Sequence, residues 1–340
     1  MSDYLYIPVG GAASLSVFST DPVSGQIDLK HQVPLGKSGH AVCADSAGKR
    51  LYVGLGAGDT YAIAAYAIDP QNGGLSALGE VAVEGMPCYL STDKTGKFLL
   101  AAYYSAGLAT VHAIGIDGAL QEEMACRYPT ELYAHYIATD ASNRYAFVPH
   151  VQSANSIYQF YFDADTGELT PNDTVPILAC GEGEGPRHLA FHPTLDLVYA
   201  DNEQGSSVTV YRFDTDSGTL SAVQTVSTLP EGGCPGNSNA QIHIHPSGRS
   251  LYVSNRGHDS IAIFAIDPET GLITALGQQA GEEVPRAFAI DPGGHFLYSG
   301  ADGSSLLRTF RIDEQGRLES LGEPRDLGGS AGWVYPLRLG

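Results

Sequence analysis

Basic residues are scarce in this sequence of 340 residues. Lysine and arginine total 18 against 38 aspartates and glutamates, which gives a formal net charge of −20 at pH 7. A negative field of this size repels the phosphates of nucleic acids and the surface of anionic lipids. We therefore expect neither a nucleic acid nor a membrane partner, and any place where several arginines gather becomes informative.

Long apolar runs and paired cysteines are also missing. No stretch approaches the roughly 20 consecutive apolar residues of a membrane-spanning helix, and the first eight residues, MSDYLYIP, lack the basic and apolar segments of a signal peptide. The five cysteines are an odd, scattered set without a CxxC pair. Such a set fits neither a disulfide framework nor a zinc site. We expect a cytoplasmic protein.

A turn motif, an aspartate followed shortly by glycine and an apolar residue, recurs along the chain. Asp supports such a turn with its own side chain, and Gly supplies the positive φ. Successive copies lie 45 to 53 residues apart, which divides the chain into seven repeats. The marker glycines are Gly25, Gly73, Gly118, Gly167, Gly218, Gly271 and Gly316.

A second motif lies about halfway along each repeat: an Asp or His-Pro turn followed by an aromatic-rich strand. Six copies are complete, at 44–54, 92–102, 139–149, 191–201, 244–254 and 290–300. The seventh is split between 3–8 and 333–337. No segment has a sustained helical period, and the runs between turns alternate as strands do.

These repeats predict an all-β fold, a seven-bladed β-propeller with four antiparallel strands per blade and a single domain over 1–340. A C-terminal inner strand should join three N-terminal strands and close the ring, so that no sheet edge stays free. A solenoid is the rival architecture. It would require polar capping repeats at both ends rather than one split repeat.

Two columns of the repeat alignment should lie at one mouth of the central channel, because the innermost strand of each blade lines that channel. The first column lies five residues before the second turn. It contains His40, Cys88, His135, Arg187, Ala240 and Arg286. The second follows the aromatic strand. It contains Gly56, Tyr104, Val151, Glu203, Arg256 and Asp302, with His150 and Asn202 beside it.

The candidate site combines both columns. Arg187, Arg256 and Arg286 would bind a small anionic ligand, because guanidinium groups hold carboxylate or phosphate in a bidentate manner. Glu203 or His135 could take a proton from water, with an arginine beside the developing oxyanion. The residues expected to complete the wall are His40, Tyr104, His150 and Asn202. A purely structural ion pair with a neighbouring blade is the alternative for Arg187.

Two patterns resemble metal sites superficially. His243 and His245 alternate on one strand face, as metal ligands can, but hydrogen-bonded packing is the interpretation that we favour. The Asp-Gly turns lack the DxDxDG spacing of a calcium loop. The sequence therefore predicts no metal site.

Several segments resemble the bacterial seven-bladed 6-phosphogluconolactonase family, which is similar in turn to carboxymuconate cyclases and sugar-diacid lactonases. They are GPRHLAFHP at 185–193 with Asn202 and Glu203, IHIHPSGR at 242–249 with Arg256, and VPRAF at 284–288. The resemblance implies a cofactor-free lactone site. It also implies catalytic or binding roles for His135, Arg187, Glu203 and either Arg256 or Arg286.

One segment departs from that family. The 6-phosphogluconolactonases that this chain resembles carry an Arg-Trp pair before the IHI strand. This chain has GNSNAQ at 236–241 instead. The loss of a cation makes an unphosphorylated aldonic or aldaric acid lactone as plausible a substrate as 6-phosphogluconolactone.

The leading hypothesis is therefore a monomeric lactonase that opens a sugar-acid lactone with base-activated water and arginine stabilisation. No GxSxG elbow is present, which argues against serine hydrolase chemistry. Two alternatives stay open. One is a lactonising cycloisomerase acting on a muconate-like diacid, and the other is a non-catalytic propeller that binds a partner on its rim.

Overall fold

The computed structural model describes residues 2–340 and confirms the predicted seven-bladed propeller. These residues form strands and no helix, so no helix of residues 2–340 could cross a membrane. Each blade is one antiparallel sheet, and the inner strand of every blade precedes the other three along the chain except in the split blade.

The blades follow one another around the ring, and their strands are given from the channel outward. The split blade contains β30 (Tyr335–Leu339), β1 (Ser2–Val9), β2 (Ser14–Thr20) and β3 (Ile27–Pro34). The second contains β4 (Ser38–Ala44), β5 (Arg50–Ala57), β6 (Thr60–Ile68) and β7 (Leu75–Val83). The third contains β8 (Pro87–Thr92), β9 (Phe98–Tyr103), β10 (Leu108–Ile114) and β11 (Leu120–Pro129).

Two of the remaining four blades have an outer strand in two pieces. The fourth contains β12 (Ala138–Thr139), β13 (Tyr145–His150), β14 (Ser156–Phe162), β15 (Leu169–Pro171) and β16 (Ile177–Ala179). The fifth contains β17 (Pro186–Phe191), β18 (Leu197–Asn202), β19 (Ser207–Asp214) and β20 (Thr219–Ser227). The sixth contains β21 (Ser238–Ile244), β22 (Ser250–Arg256), β23 (Ser260–Ile266) and β24 (Ile273–Ala280). The seventh contains β25 (Pro285–Ile290), β26 (Phe296–Ala301), β27 (Leu306–Ile312), β28 (Leu318–Ser320) and β29 (Arg325–Asp326).

The ring closes as the split repeat predicts. β30 pairs with β1 in an antiparallel register, and Arg338 on β30 donates two hydrogen bonds, of 2.7 and 2.6 Å, to the carboxylate of Asp3. The closing strand begins at Tyr335, two residues later than expected. Trp333 therefore lies before the strand, where its ring reaches the channel.

The two repeated motifs bond to one another across the blades. A buried tyrosine on the aromatic strand donates a hydrogen bond from its hydroxyl to a glycine carbonyl oxygen. That glycine belongs to the second Asp-Gly turn after the tyrosine, which lies in the neighbouring blade. The pairs are Tyr6 with Gly73, Tyr52 with Gly118, Tyr199 with Gly271 and Tyr252 with Gly316. In four pairs of neighbouring blades the two motifs are thus joined in the same way.

Bulges interrupt the inner strands where the first alignment column lies. The register with the second strand shifts between Gly39 and Val42, between Pro186 and Leu189, and at the same place in three other blades. A bulge turns a side chain out of the regular alternation. Two successive residues of one strand can then both face the channel, which decides how the candidate site is built.

Candidate functional site

A carboxylate between two arginines lies at the centre of the predicted set. Glu203 Oε2 is 2.9 Å from Arg187 Nε, and Glu203 Oε1 is 3.3 Å from a terminal nitrogen of Arg256. The N–H bond of Arg187 Nε is not aimed at the carboxylate oxygen, so this contact is an ion pair. Glu203 keeps 13% of its side chain exposed, whereas the Arg187 side chain is only 3% exposed.

The backbone around Glu203 is bound on both sides. Its N–H donates to the carbonyl oxygen of Gly185 at 2.7 Å, and its own carbonyl accepts from the N–H of Asn239 at 3.1 Å. Gly185 has φ +65°, and its N–H donates to the side-chain oxygen of Asn155 at 2.7 Å. The loop that carries Glu203 is therefore bonded to the inner strands of two blades, and its carboxylate is held close to Arg187.

Arg286 approaches the same group from the seventh blade. Its guanidinium lies 3.8 Å from the carboxylate of Asp302, and its side chain is 30% exposed. Burial is the main cause of the lowered pKa values of His40, His135 and Arg187, and the positive charge of Arg286 lowers each of them further. The structure therefore brings three arginines together at one mouth of a strongly acidic protein.

The histidines of this mouth are neutral near pH 7. Burial, followed by the charges of Arg286 and Arg187, lowers the pKa of His40 to about 3. Burial and then the same two arginines lower the pKa of His135 well below its ordinary value. The His135 ring packs against Tyr104, with 5.6 Å between ring centroids. His135 and Tyr104 thus form one wall beside the arginines.

Two residues that we expected in the wall are elsewhere. His150 is fully buried, donates from Nδ1 to the carbonyl of Val148 at 2.9 Å, and packs on the ring of Tyr158. Asn202 is also fully buried, and its amide donates to hydroxyls of Ser207 and Thr209. Both side chains contact their own blades, because the residue beside a channel-facing position in a regular strand points away from the channel.

A cluster of rings fills the channel behind the arginines, and our sequence reasoning missed it. Tyr89 lies 4.3 Å from Tyr136, 5.0 Å from His188 and 5.5 Å from Trp333 between ring centroids. His188 Nε2 accepts a hydrogen bond from the guanidinium of Arg187 at 3.2 Å. We call Tyr89, Tyr136, His188 and Trp333 the aromatic plug.

The signal for the aromatic plug was present in the sequence. Tyr89, Tyr136 and His188 each directly follow a residue of the first alignment column, Cys88, His135 and Arg187 respectively. Strict alternation along a strand sends such neighbours to opposite faces. A bulge allows Arg187 and His188 both to reach the channel, whereas His135 and Tyr136 lie before β12, where strand alternation does not apply.

A cavity of about 410 Å³ opens beside the aromatic plug. Its lining includes Cys43, Tyr89, His243, Asp291, Trp333 and Tyr335. It shares two rings with the plug and none of the arginines, so it is separate from the candidate site.

Neither histidine of the IHIHP segment is arranged as a metal ligand. His245 bonds through Nδ1 to Ser247 Oγ and through Nε2 to the carbonyl of Gly294. The ring of His243 lies against Phe288, with centroids 4.8 Å apart. No group of three or more metal-ligating side chains occurs within residues 2–340.

Known proteins match the chain over nearly its whole length. The family model described as "Lactonase, 7-bladed beta-propeller" matches residues 3–336. A 6-phosphogluconolactonase of Pectobacterium carotovorum is 34% identical, over 97% of this chain and 94% of the relative. One of Yersinia pestis is 30% identical, over 94% of each chain. The solved periplasmic gluconolactonase of Pseudomonas aeruginosa has the same fold, with a TM-score of 0.89, 23% identity and full coverage of both chains.

Proposed function

Because the chain belongs to the seven-bladed β-propeller lactonase family, we propose that it hydrolyses the lactone of a sugar acid at the arginine-lined mouth. The chain is a lactonase. The observation that carries the choice of mouth is Glu203 between Arg187 and Arg256, a base and two fixed cations within ion-pair distance.

Water is the proposed nucleophile and Glu203 the proposed base. The water oxygen bonds to the lactone carbonyl carbon while its proton passes to Glu203. Arg187 and Arg256 stabilise the oxyanion that forms on the carbonyl oxygen. The bond between that carbon and the ring oxygen then breaks, and Glu203 returns the proton to the ring oxygen. The product is the open hydroxy acid, and Glu203 is a carboxylate again.

Glu203 suits the role of base better than His135 does. The Glu203 carboxylate is partly exposed and is held by two guanidinium groups. Burial and nearby arginines lower the pKa of His135 well below its ordinary value, and with 5% exposure its ring is less accessible to water than the Glu203 carboxylate. We assign His135, with Tyr104 and His40, to the wall that shapes the substrate pocket.

The substrate is 6-phosphogluconolactone or an unphosphorylated aldonic or aldaric acid lactone. The names of the bacterial relatives support the phosphorylated compound. The first alignment column favours the other class, because Ala240 occupies the position of Arg187 in the sixth blade. Arg286 is the cation best placed to take a second anionic group, since its pairing with Asp302 is loose at 3.8 Å.

An assay of proton release in weak buffer would identify the substrate. The compounds to compare are 6-phosphogluconolactone, gluconolactone and the lactones of glucaric and galactaric acid. We expect turnover of at least one lactone, unchanged by EDTA because no step uses a metal. Preference for a diacid lactone would assign Arg286 to the second carboxylate. No turnover on any of them would contradict the proposal, and lactone formation from a muconate would replace hydrolysis by cycloisomerisation.

Glu203→Gln should lower kcat by about a hundredfold or more, because the amide cannot accept the proton. KM should change less, since the amide still occupies the space between the arginines. Glu231→Gln, at an exposed loop position, is the matched control and should be fully active. A fully active Glu203→Gln variant would remove Glu203 from the mechanism.

We propose that residues 1–340 act as one domain and as a cytoplasmic monomer without a cofactor. The five cysteines are all unpaired, which supports a reducing compartment. Sedimentation of the purified protein would test the monomer.

A further inference from the structure

Asp201 is a buried carboxylate directly behind the candidate site. It lies on β18, two residues before Glu203, and is 0% exposed. Its Oδ1 accepts a hydrogen bond from the backbone N–H of His188 at 2.8 Å. Its Oδ2 accepts none from residues 2–340. A buried carboxylate with one oxygen unpaired is costly, so its presence requires a physical reason.

Support of the bulge does not require a charge at this position. In the next blade Ser254 occupies the equivalent place, and its Oγ accepts the N–H of Gln241 at 3.1 Å. The bond thus serves the same bulge with a neutral acceptor. The other five equivalent residues are also uncharged: Pro8, Gly54, Ala102, Pro149 and Gly300. The carboxylate occurs in the blade whose first-column residue is Arg187.

The charge of Arg187 is what Asp201 can offset. Burial lowers the pKa of Arg187 to about 10, and the positive charges of Arg256 and Arg286 oppose its ionisation further. The negative charges of Glu203 and Asp201 act in the opposite direction and raise the pKa of Arg187. When Glu203 accepts a proton during turnover, one of these two negative charges disappears. Asp201 then becomes the negative charge that still faces the buried guanidinium.

We propose that Asp201 is a positioning residue that keeps Arg187 correctly oriented and offsets its buried positive charge while Glu203 is protonated. The inference rests on the proposed role of Glu203. Asp201 acts through its hydrogen bond to the N–H of His188, the residue after Arg187, and through the attraction between its negative charge and the Arg187 guanidinium. It touches no reacting atom, since its side chain is fully buried.

This role makes turnover depend on pH in a particular way. The charged groups that face Asp201 are Arg187 from β17, Glu203 after its own strand and Arg256 from β22. Burial raises the pKa of Asp201 to about 7 in spite of Arg187. The carboxylate therefore gains its charge as the pH rises through neutrality, and kcat should rise over the same range.

The test compares Asp201→Asn and Asp201→Ser with wild type, measuring kcat and KM at about pH 5 and about pH 8. Both variants keep an acceptor for the His188 N–H, and the serine copies the bond that Ser254 makes. We expect kcat to fall roughly tenfold to a hundredfold at the higher pH, with little change at the lower pH and a smaller change in KM. Ser254→Ala removes the same bond beside Ala240 and should leave the pH profile unchanged.

Each contrary result has a distinct meaning. If Asp201→Ser has the kcat and pH profile of wild type while Glu203→Gln is inactive, Asp201 only supports the bulge and the inference is overturned. If neither Asp201 variant folds by circular dichroism, the residue belongs to folding and the inference is likewise overturned. If wild type hydrolyses no lactone, the proposed function fails and this inference fails with it.

Discussion

Burial sets the ionisation of the candidate site one side chain at a time. The neutral form of a buried imidazole is favoured because desolvation penalises the charged form, and this holds for His40, His135 and His188. A guanidinium resists the same penalty because its ordinary pKa is so high. At neutral pH the mouth therefore presents arginine as its positive group and neutral imidazole as a polar wall.

The buried carboxyl of Asp201 should also make stability depend on pH. Its pKa is raised from 3.8 to about 7 in the folded protein. Between these values the unfolded chain has released a proton that the folded protein retains, so the free energy of unfolding falls as the pH rises. Asp201→Asn lacks this contribution. Its loss of stability between about pH 5 and about pH 8 should be smaller than that of wild type.

Urea unfolding at the two pH values measures this difference. The buried histidines change stability in the opposite direction, but they are common to both proteins and cancel in the comparison. Asp59→Asn, which replaces an exposed carboxylate, should behave as wild type. An identical pH dependence in wild type and Asp201→Asn would show that Asp201 does not titrate in this range.

At the scale of the element, the start of each inner strand determines where the first-column side chain lies. Gly185 and Val284 both have a positive φ, and each stands two residues before an arginine, Arg187 or Arg286. The backbone N–H of each donates to a side-chain oxygen in the preceding blade's loop, Gly185 to Asn155 Oδ1 and Val284 to Asp259 Oδ1. A left-handed valine is strained, so the surrounding bonds must impose this backbone.

Gly185→Ala should disturb this strand start. A Cβ there would lie 1.7 Å from the side-chain oxygen of Gln204, and φ is +65°. We expect a loss of about 1–3 kcal/mol in the free energy of unfolding, together with a lower kcat because Arg187 shifts. Gly183 has φ +71° with open space around it, so Gly183→Ala measures the backbone penalty alone. Chemical denaturation measures the stability of both variants, and lactonase kinetics measure their kcat. Equal kcat values for Gly185→Ala and Gly183→Ala would contradict the link between Gly185 and the position of Arg187.

At the scale of the whole molecule, the ring depends on pairing its two ends. β30 covers the edge of β1, and the paired Asp3 and Arg338 join the first and last strands of the chain. An uncovered strand edge is a template for aggregation. The hydrogen bonds from tyrosine hydroxyls then join neighbouring blades elsewhere in the ring.

Removal of residues 335–340 should therefore abolish the cooperative fold and expose β1 to aggregation. Light scattering and thermal unfolding followed by circular dichroism measure both effects. Arg338→Ala is the control, because it loses the ion pair but keeps the strand. It should remain folded and lose about 1 kcal/mol. A soluble, cooperatively unfolding truncated chain would show that closure by β30 is dispensable.

The sequence predicted the architecture well and the site in part. Seven repeats of two turn motifs are sufficient for seven blades, because each motif makes the same local structure wherever it occurs. The two alignment columns also located Arg187, Glu203 and Arg256, which the structure joins in ion pairs. His150 and Asn202 were misplaced. The aromatic plug and Asp201 were not predicted, because the alignment assumes that successive side chains of a strand point to opposite faces. The bulge interrupts that alternation.

The sequence by itself therefore determined the number of blades, the closure of the ring and the arginines of one mouth, all of which follow from local turns and their spacing. Only the tertiary structure decided which neighbours of those arginines face the channel and which are buried. The physical reason is that a bulge and the packing of two blades set the direction of a side chain. The ionisation of Asp201 and His135 then follows from the burial of their side chains, and the repeat motifs do not predict that burial.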